Sequence, residues 1–170
     1  MRAQTAQSGD HGSKHASKGF SLIELLIVVG IILIIAAIAV PNFMQSKMRA
    51  NEAAAVASLR NITTAEVVYS TSYGIGYSTA LVKLGGTLVI PDVNNAGLID
   101  DVLARGTKSG YIFTYTVAST DANGNVMDYN LLADPINPGV TGTRHFYTDT
   151  SAVIRQNQSA AAGPSDPPIS

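Results

Sequence analysis

Residues 20–40 read FSLIELLIVVGIILIIAAIAV, and this run decides the fold of the chain. Its one charged side chain, Glu24, stands among Phe, aliphatic and a few small residues. At ~1.5 Å per residue, an α-helix of this length spans roughly 32 Å, the hydrocarbon thickness of a bilayer. Each large apolar residue favours insertion by about 0.3–0.6 kcal/mol, and together they outweigh the ~3 kcal/mol cost of one acidic residue. The sequence therefore predicts a transmembrane helix.

Glu24 is the feature of this helix that needs an explanation. An unpaired carboxylate is costly in lipid, so an acidic residue in a membrane helix indicates a functional site by default. Because Glu24 lies near one end of the run, a side chain that reaches the headgroups is the alternative interpretation. The helix by itself leaves both interpretations open.

The residues around Glu24 form a motif. Residues 18–24 read KGFSLIE, with a basic residue and Gly19, then Phe20, then Glu24 four positions later and an apolar helix behind it. This motif resembles the processing site of type IV pilins and type II secretion pseudopilins. Pro41, directly after the run, matches the proline that is usual in that family. The resemblance is specific over residues 18–61 and much weaker beyond.

The resemblance implies particular sites and partners. A prepilin peptidase would cleave between Gly19 and Phe20, the new amino group of Phe20 would be methylated, and Glu24 and Pro41 would serve assembly. The precursor would lie in the bacterial inner membrane with its N-terminus in the cytoplasm, and the filament would be extracellular or periplasmic. The implied partners are further copies of the chain, related pilins, and the assembly platform of a pilus or type II secretion system. No enzyme activity, cofactor or metal is implied.

Composition limits the remaining functions. The chain has 170 residues and a net charge of −1, and it offers no basic field for nucleic acid. Outside the leader and the apolar run, about 130 residues remain, which is enough for one small domain. There is no cysteine. Many type IVa pilins close a C-terminal loop with a disulfide, so we expect this loop to be held in another way.

An alternative processing site lies at the end of the apolar run. Residues 37–39 read AIA, so a signal peptidase that cut after Ala39 would release a soluble domain. Signal-peptide apolar regions run about 7–15 residues. This run is longer and contains Glu24, which argues against that interpretation.

The helix is expected to continue beyond Pro41, which lacks a backbone donor and predicts a kink. Residues 41–73 are rich in good helix formers, and Gly74 follows them. An apolar stripe interrupted by Glu66 indicates an amphipathic helix, with the charged residues off the stripe. The predicted stripe consists of Met44, Met48, Ala55, Leu59, Ile62, Tyr69 and Tyr73, and Lys47, Arg49, Glu52 and Arg60 lie off it.

The rest of the chain predicts a small antiparallel sheet after an irregular connection. We expect a short strand at 87–90 and a helix at 96–104 capped by Asn94 or Asn95, with Leu98, Ile99, Val102 and Leu103 on one face. The β-branched and aromatic run 111–118 and the run 126–133 predict a hairpin. Two more strands follow at 144–148 and 152–156, then an extended surface tail from Ser159.

The predicted fold class is therefore α+β, a long N-terminal helix packed on a small antiparallel sheet. The organisation is a leader at 1–19, a transmembrane or filament-core helix at 20–40, an amphipathic continuation at 41–73 and a globular domain at 74–170.

Three groups of residues resemble chemical sites but have simpler interpretations. Asp121, Asn123, Asn125 and Asp128 resemble a calcium loop, but the spacing of Gly124 and the lack of a distant Glu favour a turn. His145, Asp149 and Ser151 include the residue types of a hydrolase triad, but all lie within one hairpin without an oxyanion loop. The tyrosines at 111, 115, 129 and 147 are expected to pack in the sheet.

The function predicted from the sequence is that of a pilin that polymerises through its N-terminal helix. The first alternative is a type II secretion pseudopilin, which differs in the machine that it serves. The second is an extracytoplasmic enzyme anchored by one membrane span.

Overall fold

The computed structural model of the chain describes residues 20–86 and 90–169. The leader, with Gly19, and residues 87–89 of the predicted strand at 87–90 lie outside the described residues.

One long helix, α1 (Leu22–Tyr73, 52 residues), carries both the apolar run and its continuation. Pro41 lies inside α1, and the helix neither ends nor restarts there; a bend at Pro41 stays a prediction. The chain divides into two compact units between Val40 and Pro41. At its C-terminus, α1 ends where Gly74 takes a positive φ of 67° and donates its N–H to the Ser70 carbonyl at 3.0 Å.

The second half of α1 buries one face, as its periodicity predicts, but two positions differ from the expectation. Glu52, predicted to lie off the apolar stripe, is buried, and Met44, predicted on it, is half exposed. The reason is that Glu52 faces polar groups of the domain, described below, whereas Met44 lies before the part of α1 that the domain covers. The buried residues of α1 are Glu52, Ala55, Ser58, Leu59, Ile62, Ala65, Glu66 and Tyr69.

Two short helices form the connection to the sheet, α2 (Leu81–Leu84) and α3 (Asp101–Ala104). The predicted helix at 96–104 is therefore wrong over its first five residues. Gly97 takes a positive φ of 65°, and the backbone N–H groups of 96–99 donate to carbonyls of 83–85 instead of forming a helix. The cap is Asp100, whose carboxylate accepts from the Leu103 N–H at 3.0 Å, and not Asn94 or Asn95. Val102 is exposed.

Five antiparallel strands form one sheet in the order β1-β2-β3-β4-β5. The predicted hairpin is confirmed, and its strands are longer than expected. The sequence analysis missed β1, and the last strand begins later than predicted because Ala152 has a positive φ of 61° in the preceding turn. The strands are β1 (Thr107–Lys108), β2 (Tyr111–Thr120), β3 (Val126–Pro135), β4 (His145–Asp149) and β5 (Arg155–Asn157).

Aromatic side chains fill the space between α1 and the sheet. Tyr115 stacks on Tyr129 with ring centroids 5.2 Å apart, and Tyr77 meets the edge of Tyr129 at 5.1 Å. Tyr111 packs against Phe146 at 5.9 Å. The prediction that the tyrosines at 111, 115, 129 and 147 pack in the sheet is confirmed, since three of them are buried and Tyr115 is half-buried. Offset and edge-to-face pairs are the favoured aromatic arrangements.

The C-terminal tail pairs with β5, and Asp166 closes the loop between them. One carboxylate oxygen accepts from the Asn157 amide at 3.1 Å, and the other accepts from the Gly163 N–H at 2.8 Å. The Asp166 carbonyl accepts from the Arg155 guanidinium at 2.8 Å. Hydrogen bonds therefore hold the loop in a chain without cysteine, as the composition led us to expect.

The backbone pairing places Asn157 opposite Asp166. Gln156 N–H donates to the Pro167 carbonyl at 3.0 Å and Ile169 N–H to the Ile154 carbonyl at 2.9 Å, on either side of the bridge between Arg155 and Pro168. The Asn157 amide reaches the Asp166 carboxylate at 3.1 Å, so these two side chains are neighbours and are the pair that we select for an engineered disulfide.

We predict that Asp166→Ala lowers the free energy of unfolding by about 1–2 kcal/mol, because two donors lose their acceptor. Oxidised Asn157→Cys/Asp166→Cys should recover that loss by a covalent link. Thermal unfolding of the detergent-solubilised chain with and without reductant measures both effects, with Ser165→Ala as the matched control. An Asp166→Ala chain as stable as the control would contradict a closing role for Asp166.

Candidate assembly interface

The apolar segment, residues 20–40, whose residues from Leu22 onward lie in α1, is exposed along its length. Phe20 is 72% and Leu22 81% exposed, and every large apolar side chain after them as far as Val40 is also exposed. By length and composition, α1 can cross a membrane. Apolar burial stabilises by about 25 cal/mol per Å². A contiguous apolar surface of this size therefore indicates contact with lipid or with other protein.

Glu24 lies in the first turn of α1, with its side chain exposed. Its backbone N–H donates to the Ser21 carbonyl at 3.1 Å. Within residues 20–86 and 90–169, no side chain donates to the Glu24 carboxylate. The apolar segment thus carries one carboxylate that has no partner in the described part of the chain.

A second carboxylate, Glu52, holds the sheet domain to α1. One of its oxygens accepts from the Thr143 N–H at 2.8 Å and the Thr143 hydroxyl at 3.0 Å. The other accepts from the Arg144 guanidinium at 2.8 Å. Burial acts to raise the pKa of Glu52, but the hydrogen bonds from Thr143 and Arg144 outweigh burial and hold the pKa below its ordinary value.

A third carboxylate, Glu66, is completely buried and holds the start of the connecting segment. Its two oxygens accept from the Ser78 N–H at 2.8 Å and the Ser78 hydroxyl at 2.5 Å. The Ser78 carbonyl in turn accepts from the Tyr115 hydroxyl at 2.7 Å, which links Glu66 to β2. Burial raises the pKa of Glu66 above its ordinary value, although the Ser78 bonds act in the opposite direction.

The roles of Glu52 and Glu66 are not among those predicted from the sequence. Glu66 was noted as an interruption of the apolar stripe, and that interruption is the signal that could have identified a paired buried carboxylate, since buried charges need hydrogen-bond partners. Nothing local marks Glu52, because its partners lie 91 and 92 residues further along the chain.

The residues that resemble a calcium loop and a hydrolase triad form ordinary turn and side-chain hydrogen bonds. Asp121 accepts from the N–H groups of Asn123 and Asn125 at 2.8 Å each, which confirms the turn. His145 pairs with Asp134 at 2.6 Å, whereas Asp149 accepts from the Ser151 N–H at 2.9 Å. The three residues of the triad alternative are therefore not hydrogen-bonded in the order that a triad requires.

Comparison with known proteins assigns the exposed segment to a family. A family model described as the prokaryotic N-terminal methylation motif matches residues 14–40. A fimbrial protein of Pseudomonas aeruginosa is 37% identical over 111 residues, which cover 56% of this chain and 72% of that protein. The chain belongs to the type IV pilin family.

Two further pilins are similar to shorter parts of this pilin. The type IV wide pilus major component PilA4 of Thermus thermophilus is 40% identical over 72 residues, covering 41% of this chain and 54% of that protein. The type IV major pilin protein PilA of Myxococcus xanthus is 48% identical over 50 residues, covering 29% of this chain and 23% of that protein.

We predict that the two buried carboxylates act on stability in opposite pH directions. The lowered pKa of Glu52 means that its contribution is present above its unfolded pKa and is lost as the pH falls through the folded value. The raised pKa of Glu66 means that its contribution is present below the unfolded pKa and is lost as the pH rises through the folded value.

Glu52→Gln should therefore cost about 1–2 kcal/mol at neutral pH and little near pH 3, while Glu66→Gln, which mimics the protonated acid, should cost least at neutral pH. Unfolding of the two variants between pH 3 and pH 8 measures this difference. Parallel pH profiles for wild type and both variants would be the contrary result.

Proposed function

We propose that this pilin is cleaved between Gly19 and Phe20 by a prepilin peptidase, is methylated at Phe20, and polymerises through residues 20–40 into a type IV pilus. The observation that carries this proposal is the exposed apolar segment, which contains one carboxylate without a partner among the described residues. The match of the methylation motif to residues 14–40 supports it.

The exposed apolar segment would need surroundings that exclude water both before and after assembly. Before assembly, the bilayer of the inner membrane would cover it, with the N-terminus in the cytoplasm and the domain outside the membrane. After assembly, the same segments of neighbouring copies would cover one another. The partners of this pilin are then its own copies, related pilins, the peptidase and an assembly platform.

We assign the register of assembly to Glu24. Once Phe20 is the first residue, its amino group is positive, and in a dry core it would pair with Glu24 of a neighbouring copy. Opposite charges repay their desolvation only when they are close and well oriented. A slip of one helical turn moves them ~5.4 Å apart along the axis, so the pair would favour one register.

We propose that Pro41 marks the point at which α1 bends or stretches when copies pack together. Its ring removes one backbone hydrogen bond from the helix interior, so the segment 38–42 would be the part that bends or stretches. A filament map with a straight, fully hydrogen-bonded helix through Pro41 would speak against this role.

The relatives favour a pilus over the alternatives. The three similar proteins are named as fimbrial or type IV pilus proteins, which supports pilus assembly over a type II secretion pseudopilus. A monomeric, uncleaved enzyme anchored in the membrane does not need the motif that residues 14–40 match.

The processing claim predicts a mature protein that begins with methylated Phe20. Intact mass and N-terminal sequencing of fibres sheared from cells decide it, and Gly19→Phe should leave an uncut precursor in the membrane. Ser21→Ala is the control on the other side of the cleaved bond. A mature protein that begins at Met1 or Val40 would show the proposal to be wrong.

The register claim predicts that Glu24→Ala leaves a cleaved, folded subunit in the membrane but reduces the number of fibres at least about tenfold, since a tenfold change needs only 1.4 kcal/mol. Electron microscopy counts the fibres, and Ile23→Ala in the same turn is the uncharged control. Fibres in normal number from Glu24→Ala alone would restore the interpretation in which Glu24 only reaches the headgroups.

A further inference from the structure

The unit Pro41–Ser170 carries a small basic group and a small acidic group in different places. The N-terminal part of α1 in this unit carries exposed Lys47 and Arg49. The turn of the β2–β3 hairpin and the neighbouring end of β4 carry Asp121, Asp128 and Asp149. Within the described residues, none of these five side chains forms an ion pair.

Contacts within this unit place Lys47 and Arg49 near one end of its helix and the β2–β3 turn, with Asp121, near the other. Near the basic group, the Asn51 amide donates to the Thr141 carbonyl at 2.8 Å, and Glu52 binds Thr143. Near the acidic group, Tyr77, which follows the end of α1, donates its N–H to the Val126 carbonyl at 2.9 Å. Some 24 residues of helix separate Arg49 from Tyr73, or about 36 Å at 1.5 Å per residue.

The acidic end is negatively charged at neutral pH and is held in a fixed shape. Hydrogen bonds from Asn125 and Asn123 lower the pKa of Asp121, which keeps this carboxylate ionised. Asp128 accepts from the Thr150 hydroxyl at 2.7 Å. The nearest basic side chain that acts on Asp149 is Arg155, whose guanidinium donates to the Asp166 carbonyl.

The basic end is continuous in sequence with the proposed assembly segment. Phe43 and Met44 extend the exposed apolar surface beyond Pro41, and Lys47 and Arg49 follow within the next two turns of α1. A copy that packs its apolar segment against a neighbour therefore brings this basic turn toward that neighbour as well.

We propose that the basic end of one copy, Lys47 and Arg49, docks on the acidic end, Asp121, Asp128 and Asp149, of another copy. This inference rests on the proposed polymerisation. The two surfaces differ, so the contact is head-to-tail, and a head-to-tail contact that does not close generates an open helical filament. Complementary charges also penalise a reversed copy, because like charges would then meet.

The test reverses the charge of one end at a time. Lys47→Glu/Arg49→Glu makes both ends acidic, and Ala122→Lys/Asn123→Lys/Asp128→Lys makes both ends basic, with two of its three changes at exposed turn positions. Each variant expressed alone should give at least about tenfold fewer fibres, since like-charge contacts cost several kcal/mol. Expressed together, the two variants should restore fibres that contain both chains, because each acidic end then meets a basic end.

Two controls separate charge from folding. Lys83→Glu/Arg105→Glu changes the net charge as much as Lys47→Glu/Arg49→Glu but lies in the connecting segment, and it should leave fibre number unchanged. Asp128→Asn/Asp149→Asn keeps hydrogen-bond acceptors while removing charge, and it should reduce fibres without lowering the unfolding temperature of the solubilised chain.

The outcomes distinguish this inference from the proposed function. If wild type forms fibres and either charge-reversed variant alone also does so normally, the docking inference is overturned while polymerisation stands. If the mixed variants fail to restore fibres and Lys47→Glu/Arg49→Glu binds anionic vesicles less than wild type, the basic turn serves lipid headgroups instead. If wild type itself forms no fibres, the proposed function is overturned.

Discussion

An apolar surface that its own chain does not cover is the constraint on which this pilin depends. Residues 20–40 expose large apolar side chains along their length, and an apolar surface of this size does not remain in water. In lipid, a helix satisfies its own backbone hydrogen bonds, so a membrane and a bundle of neighbouring helices are both suitable surroundings. In the proposed polymerisation, the polar domain stays outside both, and its attachment to α1 has to persist when the segment moves from membrane to filament.

That attachment combines polar anchors with apolar packing. Leu59, Ile62 and Tyr69 fill the contact between α1 and the sheet, but apolar contacts are non-directional. Glu52 accepts from Thr143 and Arg144, 91 and 92 residues away, and Glu66 accepts twice from Ser78, 12 residues away. These bonds fix where along α1 the domain sits. Buried polar groups are well suited to this role, since a shift of the domain along α1 would leave them without hydrogen-bond partners.

The C-terminal loop shows the same use of polar groups where no covalent link exists. Asp166 joins the tail to β5 through both carboxylate oxygens and its carbonyl. Hydrogen bonds of this kind are individually modest, so closure depends on several together.

The sequence by itself determined the features that are local. These features are the apolar run with Glu24, the end of α1 at Gly74 and the β-branched hairpin strands. Each depends on neighbours within a few residues, so its pattern can be read directly from the sequence. The tertiary structure decided the burial of Glu52, the short α3, and the closure by Asp166. Each of these depends on partners that only folding brings together: Thr143 and Arg144 for Glu52, the carbonyls of 83–85 for the backbone of 96–99, and Asn157 for Asp166. Hydrogen bonds across such separations leave no periodic trace in a sequence, because their donors and acceptors occur in every stretch of polypeptide.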